Sequence, residues 1–217
     1  MALIPEIEPA PRLLGVCGYK YAGKSTAARH AAEEWGFSRT RLAEPIKAAA
    51  VACGVPSACV DGDEAAKECP LPLLGGRSAR WFMEQIGDWG RSTVGEDYWL
   101  RLWSRRADDL LAQGRGLVLV DDVRYPDEDE HLAAWAEARG LPYLLVRVSA
   151  PDREDASPTH RSNRTPDPDR AAWCLDNSRA ACPTEAALRA RVAHVLGTWD
   201  ARLRAGLAPA AGRTPRW

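Results

Sequence analysis

The sequence predicts an α/β protein, a three-layer α/β/α sandwich around a parallel five-stranded sheet. Three observations predict it. Gly116-Leu117-Val118-Leu119-Val120 is a continuous apolar run ending in Asp121-Asp122, and a parallel strand covered by helices on both faces needs such a run. Apolar runs alternate with stretches of helical spacing, which puts strands near 13–17, 38–42, 117–121, 143–148 and 172–175. A glycine-rich turn, Gly18 to Ser25, stands between the first strand and the first helix.

Taken in order, residues 1–12 carry Pro5, Pro9 and Pro11 and read as a loose arm. Leu13-Leu14-Gly15-Val16-Cys17 is a short buried strand. Thr26 to Trp35 is a helix, with Ala27, Ala28, Ala31, Ala32 and Trp35 at helical spacing and Gly36 as its stop. Phe37 to Leu42 is a second strand despite its charges. A helix starts at Ala43-Glu44-Pro45, with proline acceptable in the first turn, and runs to Cys53. Residues 54–76, rich in Pro, Gly and Asp, read as a loop or insertion.

Arg77 to Arg91 reads as a helix with Phe82, Ile86 and Trp89 in one buried stripe. Arg77, Arg80, Glu84 and Asp88 fall on another face at steps of three and four. Gly95 to Gln113 is a long helix with Trp99, Leu102, Trp103 and Leu110 inward. After the strand ending at Asp121, Pro126 to Arg139 is helical and Gly140 stops it. Tyr143 to Val148 is a strand, and 150–170 is a polar loop or lid holding Arg153, His160, Arg161 and Arg164. Ala172 to Leu175 is the last strand, Thr184 caps a helix through Arg204, and 206–217 is a loose tail.

A chain of 217 residues is one sizeable domain, and 46% hydrophobic with 27% charged residues is ordinary for a soluble protein. The net charge of −1 supplies no bulk positive field for nucleic acid. No apolar run is long enough for a membrane span, and the N-terminus has no signal-peptide pattern. The six cysteines form no C-x-x-C pair, which fits reduced thiols in a cytosolic chain.

The chemistry concentrates in Gly18-Tyr19-Lys20-Tyr21-Ala22-Gly23-Lys24-Ser25, which matches G-x-x-x-x-G-K-[ST]. Glycines let a backbone curl so that successive N–H groups face a phosphate chain. Gly18, Tyr21, Ala22, Gly23 and Thr26 are thus candidate ATP-binding positions. Lys24 supplies a point charge for the β- and γ-phosphates, and the Ser25 hydroxyl is a hard ligand for Mg²⁺.

Several further stretches, with the loop, resemble the bacteriophage deoxynucleoside monophosphate kinases, a branch of the P-loop nucleoside monophosphate kinase fold. They are Leu42-Ala43-Glu44-Pro45-Ile46-Lys47, Gly75 to Arg91, Asp122-Val123-Arg124-Tyr125-Pro126-Asp127-Glu128, His160-Arg161-Ser162-Asn163 and Asn177. The resemblance covers nearly the whole chain. It implies a P-loop kinase with an acceptor-binding helical segment near 43–100 and a lid near 150–168. Lys47, Arg77, Arg80, Glu84, Trp89 and Arg91 would belong to the acceptor side. Asp122 would organise Mg²⁺ with Ser25, Arg124 would contact phosphate or acceptor, and Asn177 would border the donor base. Arg153, His160, Arg161 and Arg164 would form the lid, with Arg161 closing over the transferring group. It implies ATP and Mg²⁺, a small-molecule nucleotide acceptor and the cytoplasm of an infected bacterial host. A homodimer is left open.

Glu84 stands where that family has glutamine. A carboxylate only accepts hydrogen bonds, so it favours an acceptor base that offers N–H or NH₂ donors, guanine or cytosine over thymine. Two other readings share the loop. One is a kinase of a hydroxymethylated pyrimidine in phage DNA, for which Asp121 or Asp122 would serve as base. The other is a nucleotide-binding regulator or assembly ATPase with no small acceptor.

Overall fold

A computed structural model of the chain describes residues 10–155 and 168–207. In chain order the elements are β1 (Arg12–Cys17), α1 (Lys24–Trp35), β2 (Ser38–Thr40), α2 (Glu44–Ala52), α3 (Ser57–Asp61), α4 (Glu64–Glu68), β3 (Pro70–Leu71), β4 (Arg77–Ser78) and α5 (Ala79–Trp89). Then come α6 (Tyr98–Ala112), β5 (Leu117–Val123), α7 (Pro126–Glu137), β6 (Tyr143–Ser149), β7 (Trp173–Asp176) and α8 (Glu185–Arg204). They form two compact units, one from the described parts of 1–40 and 109–217 and the other from 41–108.

The first unit is built on a five-stranded sheet in the order β2-β5-β1-β6-β7. Every neighbouring pair is parallel. The central strands are apolar because both faces are covered. Leu14, Val16, Leu144, Val146, Val148 and Leu175 meet Ala27, Ala28 and Ala31 of α1 and Leu188, Val192, Val195, Leu196 and Trp199 of α8. The three alanines let α1 lie close to the sheet. Gly36 ends α1 in the left-handed region (φ 73°) and donates to Ala32 O at 3.1 Å. Thr184 caps α8 by accepting from Ala187 N at 3.2 Å. On the other face, Tyr143 of β6 donates to Asp129 of α7 at 2.7 Å.

The second unit is helical. Ala50, Val55, Val60 and Ala79 form its small core, with Phe82, Met83 and Ile86 packed against them. Four sequence expectations change. Residues 54–76 contain two five-residue helices, α3 and α4, and one strand of a two-stranded pair with β4. Asp63 caps α4 by accepting from Ala66 N at 2.9 Å, and Val60 anchors α3 in the core. The helix expected from Arg77 starts at Ala79, because Ser78 is its cap and Arg77 is in β4. The long helix expected from Gly95 starts at Tyr98, after a π-helical turn over Gly90–Val94 and a Gly95 with φ 150°.

Trp89 is the fourth. It is 53% exposed rather than part of the buried stripe. Trp99 has the inner place. Its indole nitrogen donates to Gly87 O at 2.9 Å, and a Cβ on Gly90 would stand 2.6 Å from its ring. The second strand is also shorter than expected, three residues from Ser38 to Thr40. The distal part of the expected lid (156–167), the expected N-terminal arm (1–9) and tail residues 208–217 lie outside the described residues.

Candidate active site

The C-terminal ends of β1, β5, β6 and β7 all leave the first unit's sheet on one edge. That is where open α/β sheets bind ligands. The glycine loop follows β1 there. Gly18 has φ 134°, Tyr21 φ 65° and Gly23 φ 98°. Tyr21 is 57% exposed, so its left-handed backbone is not imposed by a buried side chain. A Cβ at Gly18 would stand 2.1 Å from Val148 O, and one at Gly23 2.2 Å from the Asn177 amide nitrogen. Only glycine fits either position.

Ala22 is fully buried and Ser25 is exposed in the first turn of α1. Thr26 N closes that turn on Gly23 O at 3.1 Å. The amides at this helix start and the helix dipole favour an anion. Lys24 Nζ donates to Gly18 O at 2.8 Å and Tyr19 O at 2.7 Å. Burial lowers its pKa to about 8; Arg124 acts in the same direction, while Cys17, Asp121 and Asp122 oppose it. Lys24, Arg124 and both aspartates therefore share one electrostatic neighbourhood.

The two aspartates differ. Asp121 is buried and accepts from Arg39 of β2, from Nε at 2.8 Å and also from Nη2. Asp122 is half-buried at the strand end. Ser25 and Asp122 offer hard oxygen donors that fit Mg²⁺. Among the described residues no group of three or more His, Cys, Asp or Glu forms a metal cage.

Arg124 is positioned by its own backbone. Glu128 Oε2 accepts from Arg124 N at 2.6 Å and Tyr125 N at 3.1 Å. This is the reciprocal half of a capping box, with Pro126 in the first turn of α7. Burial pushes the Glu128 carboxyl up to about 8, although the two N–H donors pull the other way.

Asn177, expected near the donor base, is buried and donates to Ala22 O at 2.8 Å. It braces the loop from β7. Arg153, expected in the lid, donates to Asn177 O. The segment entering the expected lid is tied to the loop, since Asp155 N donates to Lys20 O at 2.9 Å. His160, Arg161 and Arg164 lie outside the described residues.

The expected acceptor residues lie in the second unit. Lys47 Nζ is 2.8 Å from Asp61, which Arg41 also approaches at 3.5 Å. Arg80 pairs with Glu64 and Glu68 of α4. Arg91 pairs with Asp88 at 3.0 Å, and Arg77 stacks over Trp81 at 4.5 Å. Glu84 is half-buried on α5 and Trp89 is exposed at its end. On the charged face Arg80 is thus engaged by α4 and Asp88 by Arg91, while Lys47 of α2 pairs separately with Asp61 of α3.

The sequence does not single out Arg39 or Glu128 as site residues. Arg39 is a lone charge in a three-residue strand, with no local signal for its partner. Glu128 had one, a glutamate at the third helical position after Tyr125-Pro126.

No protein-family model matches the chain, and no curated protein matches it. Solved structures do. A presumptive kinase from Chloroflexus aurantiacus is 15% identical over 88% of this chain and 98% of its own, with a TM-score of 0.50. A sugar kinase from Janibacter is 15% identical over 88% and 97%, with a TM-score of 0.43. The APS kinase of Mycobacterium tuberculosis is 13% identical over 88% and 99%, with a TM-score of 0.40. At such identities the likeness is one of fold. The fold is an α/β sandwich on a parallel five-stranded sheet.

Proposed function

We propose that the chain is a P-loop phosphotransferase that moves the terminal phosphoryl group of ATP to a deoxynucleoside monophosphate, giving the diphosphate. The observation that carries the reading is the loop itself. A half-buried lysine on its own loop carbonyls, two glycines where no side chain fits, and the start of a helix converge with Asp122 and Arg124 at one sheet edge. Gly18 to Thr26 would hold the polyphosphate, and Lys24 would exchange its carbonyl partners for phosphate oxygens. Mg²⁺, held by Ser25 and Asp122, would neutralise phosphate charge. Arg124, fixed through Glu128, would meet the charge on the transferring group.

A monophosphate oxygen is already ionised. Its lone pair attacks the terminal phosphorus, the bond to ADP breaks, and no general base is required. Of the two bases that a DNA hydroxyl acceptor would call for, Asp121 is held by the Arg39 guanidinium, which favours the monophosphate. The acceptor class rests on the motif resemblance, with Lys47, Arg77, Arg80 and Arg91 as the phosphate-binding candidates and Glu84 toward the base.

The test offers labelled ATP with each of the four deoxynucleoside monophosphates and with hydroxymethylated DNA. The expected product is a labelled deoxynucleoside diphosphate, with dGMP or dCMP above dTMP and the ranking altered in Glu84→Gln. Label on DNA alone would replace the monophosphate with a base hydroxyl. Hydrolysis stimulated only by a protein partner would replace transfer with a regulatory ATPase.

A further inference from the structure

Arg147 is a buried charge that this mechanism leaves unused. It lies on β6 between Cys17 of β1 and Cys174 of β7, level with the last residue before the glycine loop. Leu144, Val146 and Val148 of the same strand face α1 and α8, so alternation points Arg147 to the opposite face. It is 9% exposed. Its guanidinium carbon is 5.3 Å from the centre of the Tyr19 ring. Nη1 is buried with no hydrogen-bond partner. Among the described residues, Arg147 has no ion pair with a carboxylate.

Such a group opposes folding. A buried guanidinium loses its water and gains only a ring face in return. An apolar side chain of like length would suit the empty protein better. The arrangement makes sense if the missing anion arrives with a ligand. Tyr19 links the charge to the loop, because Tyr19 O accepts from the Lys24 ammonium at 2.7 Å.

We propose that Arg147 is a positioning residue of the phosphate loop, whose guanidinium fixes Tyr19 from beneath and supplies a buried positive charge that a bound polyphosphate balances. The proposal rests on the phosphate-loop reading. Arg147 acts through Tyr19 and through its field, without touching the reacting atoms. A low-dielectric surrounding carries that field further than water would.

The experiment measures inorganic pyrophosphate binding by calorimetry and thermal unfolding without ligand, for the parent, Arg147→Met, Arg147→Lys, Tyr19→Leu and Lys24→Ala. Arg147→Met is expected to weaken pyrophosphate binding about tenfold or more while melting at or above the parent temperature. Arg147→Lys keeps most of the affinity, and Tyr19→Leu loses part of it. The KM for ATP rises in Arg147→Met while kcat changes little. Pyrophosphate affinity in Arg147→Met within about twofold of the parent, with Lys24→Ala defective, overturns the Arg147 assignment alone. Clearly lower melting of Arg147→Met also overturns it and assigns the arginine to the fold. A parent protein that binds neither pyrophosphate nor ATP overturns the loop reading and this proposal together.

Discussion

The side-chain amide of Asn177 donates to the carbonyl of Ala22 across 2.8 Å. Its nitrogen also occupies the space that a Cβ on Gly23 would need. The turn after β7 thereby sets the backbone of the loop after β1. Asn177→Ala removes the donor and leaves a buried carbonyl unsatisfied, at a cost of about 1–3 kcal/mol. Urea unfolding is expected to show that loss, with a raised KM for ATP. Asn177→Asp is expected to be worse, because a carboxylate then faces a carbonyl. An alanine variant with unchanged KM would detach Asn177 from nucleotide binding.

Lys24 predicts a pH dependence. Its folded pKa, about 8, lies below the unfolded value near 10.5. Between these values the unfolded chain holds the extra proton, so stability without nucleotide rises with pH across that window. Binding runs the other way, because a polyphosphate needs the charged ammonium. ATP affinity is expected to fall as pH rises through about 8, and Lys24→Arg to remove that fall. Calorimetric titrations from pH 7 to 10 measure it. Equal affinity across the range in the parent would contradict the role given to the Lys24 charge.

The Arg39–Asp121 pair predicts an asymmetric double-mutant cycle. Arg39→Met leaves a carboxylate that is 3% exposed without its guanidinium. The expected loss is about 3 kcal/mol in urea unfolding. Asp121→Asn in the Arg39→Met background is expected to recover much of it, since the buried charge is gone. A loss below about 1 kcal/mol in Arg39→Met would mean that the pair contributes no more than a surface contact.

The sheet was legible because its central strands are covered on both faces and must be apolar throughout. Leu117 to Val120 carries that signature, Tyr143 to Val148 carries it apart from Arg147, and α1 carries its alanine stripe with Gly36 as a stop. The helical pieces at Ser57–Asp61 and Glu64–Glu68 were not legible. Each is too short for a stripe, and Val60 alone is fully buried between them. Trp89 misled because it is the last residue of α5, where the packed stripe ends, and Trp99 from beyond the π-helical turn fills the inner site. At the candidate site, the glycine loop is local in sequence and therefore readable. Asn177–Ala22 and Arg39–Asp121 join positions 155 and 82 residues apart, and neither leaves a local pattern. Arg147 shows nothing in the sequence beyond one charge in an apolar strand.

On the proposed reading, the loop around Lys24 holds a nucleotide for phosphoryl transfer. Its most direct test is the rate of labelled diphosphate formation from γ-labelled ATP and a saturating deoxynucleoside monophosphate, for the parent and Lys24→Ala. Circular dichroism and unfolding confirm that the variant is folded. A labelled deoxynucleoside diphosphate is expected from the parent, with a loss of about a hundredfold or more in the variant, close to 3 kcal/mol of transition-state stabilisation. A folded Lys24→Ala variant that turns over within about tenfold of the parent would contradict it.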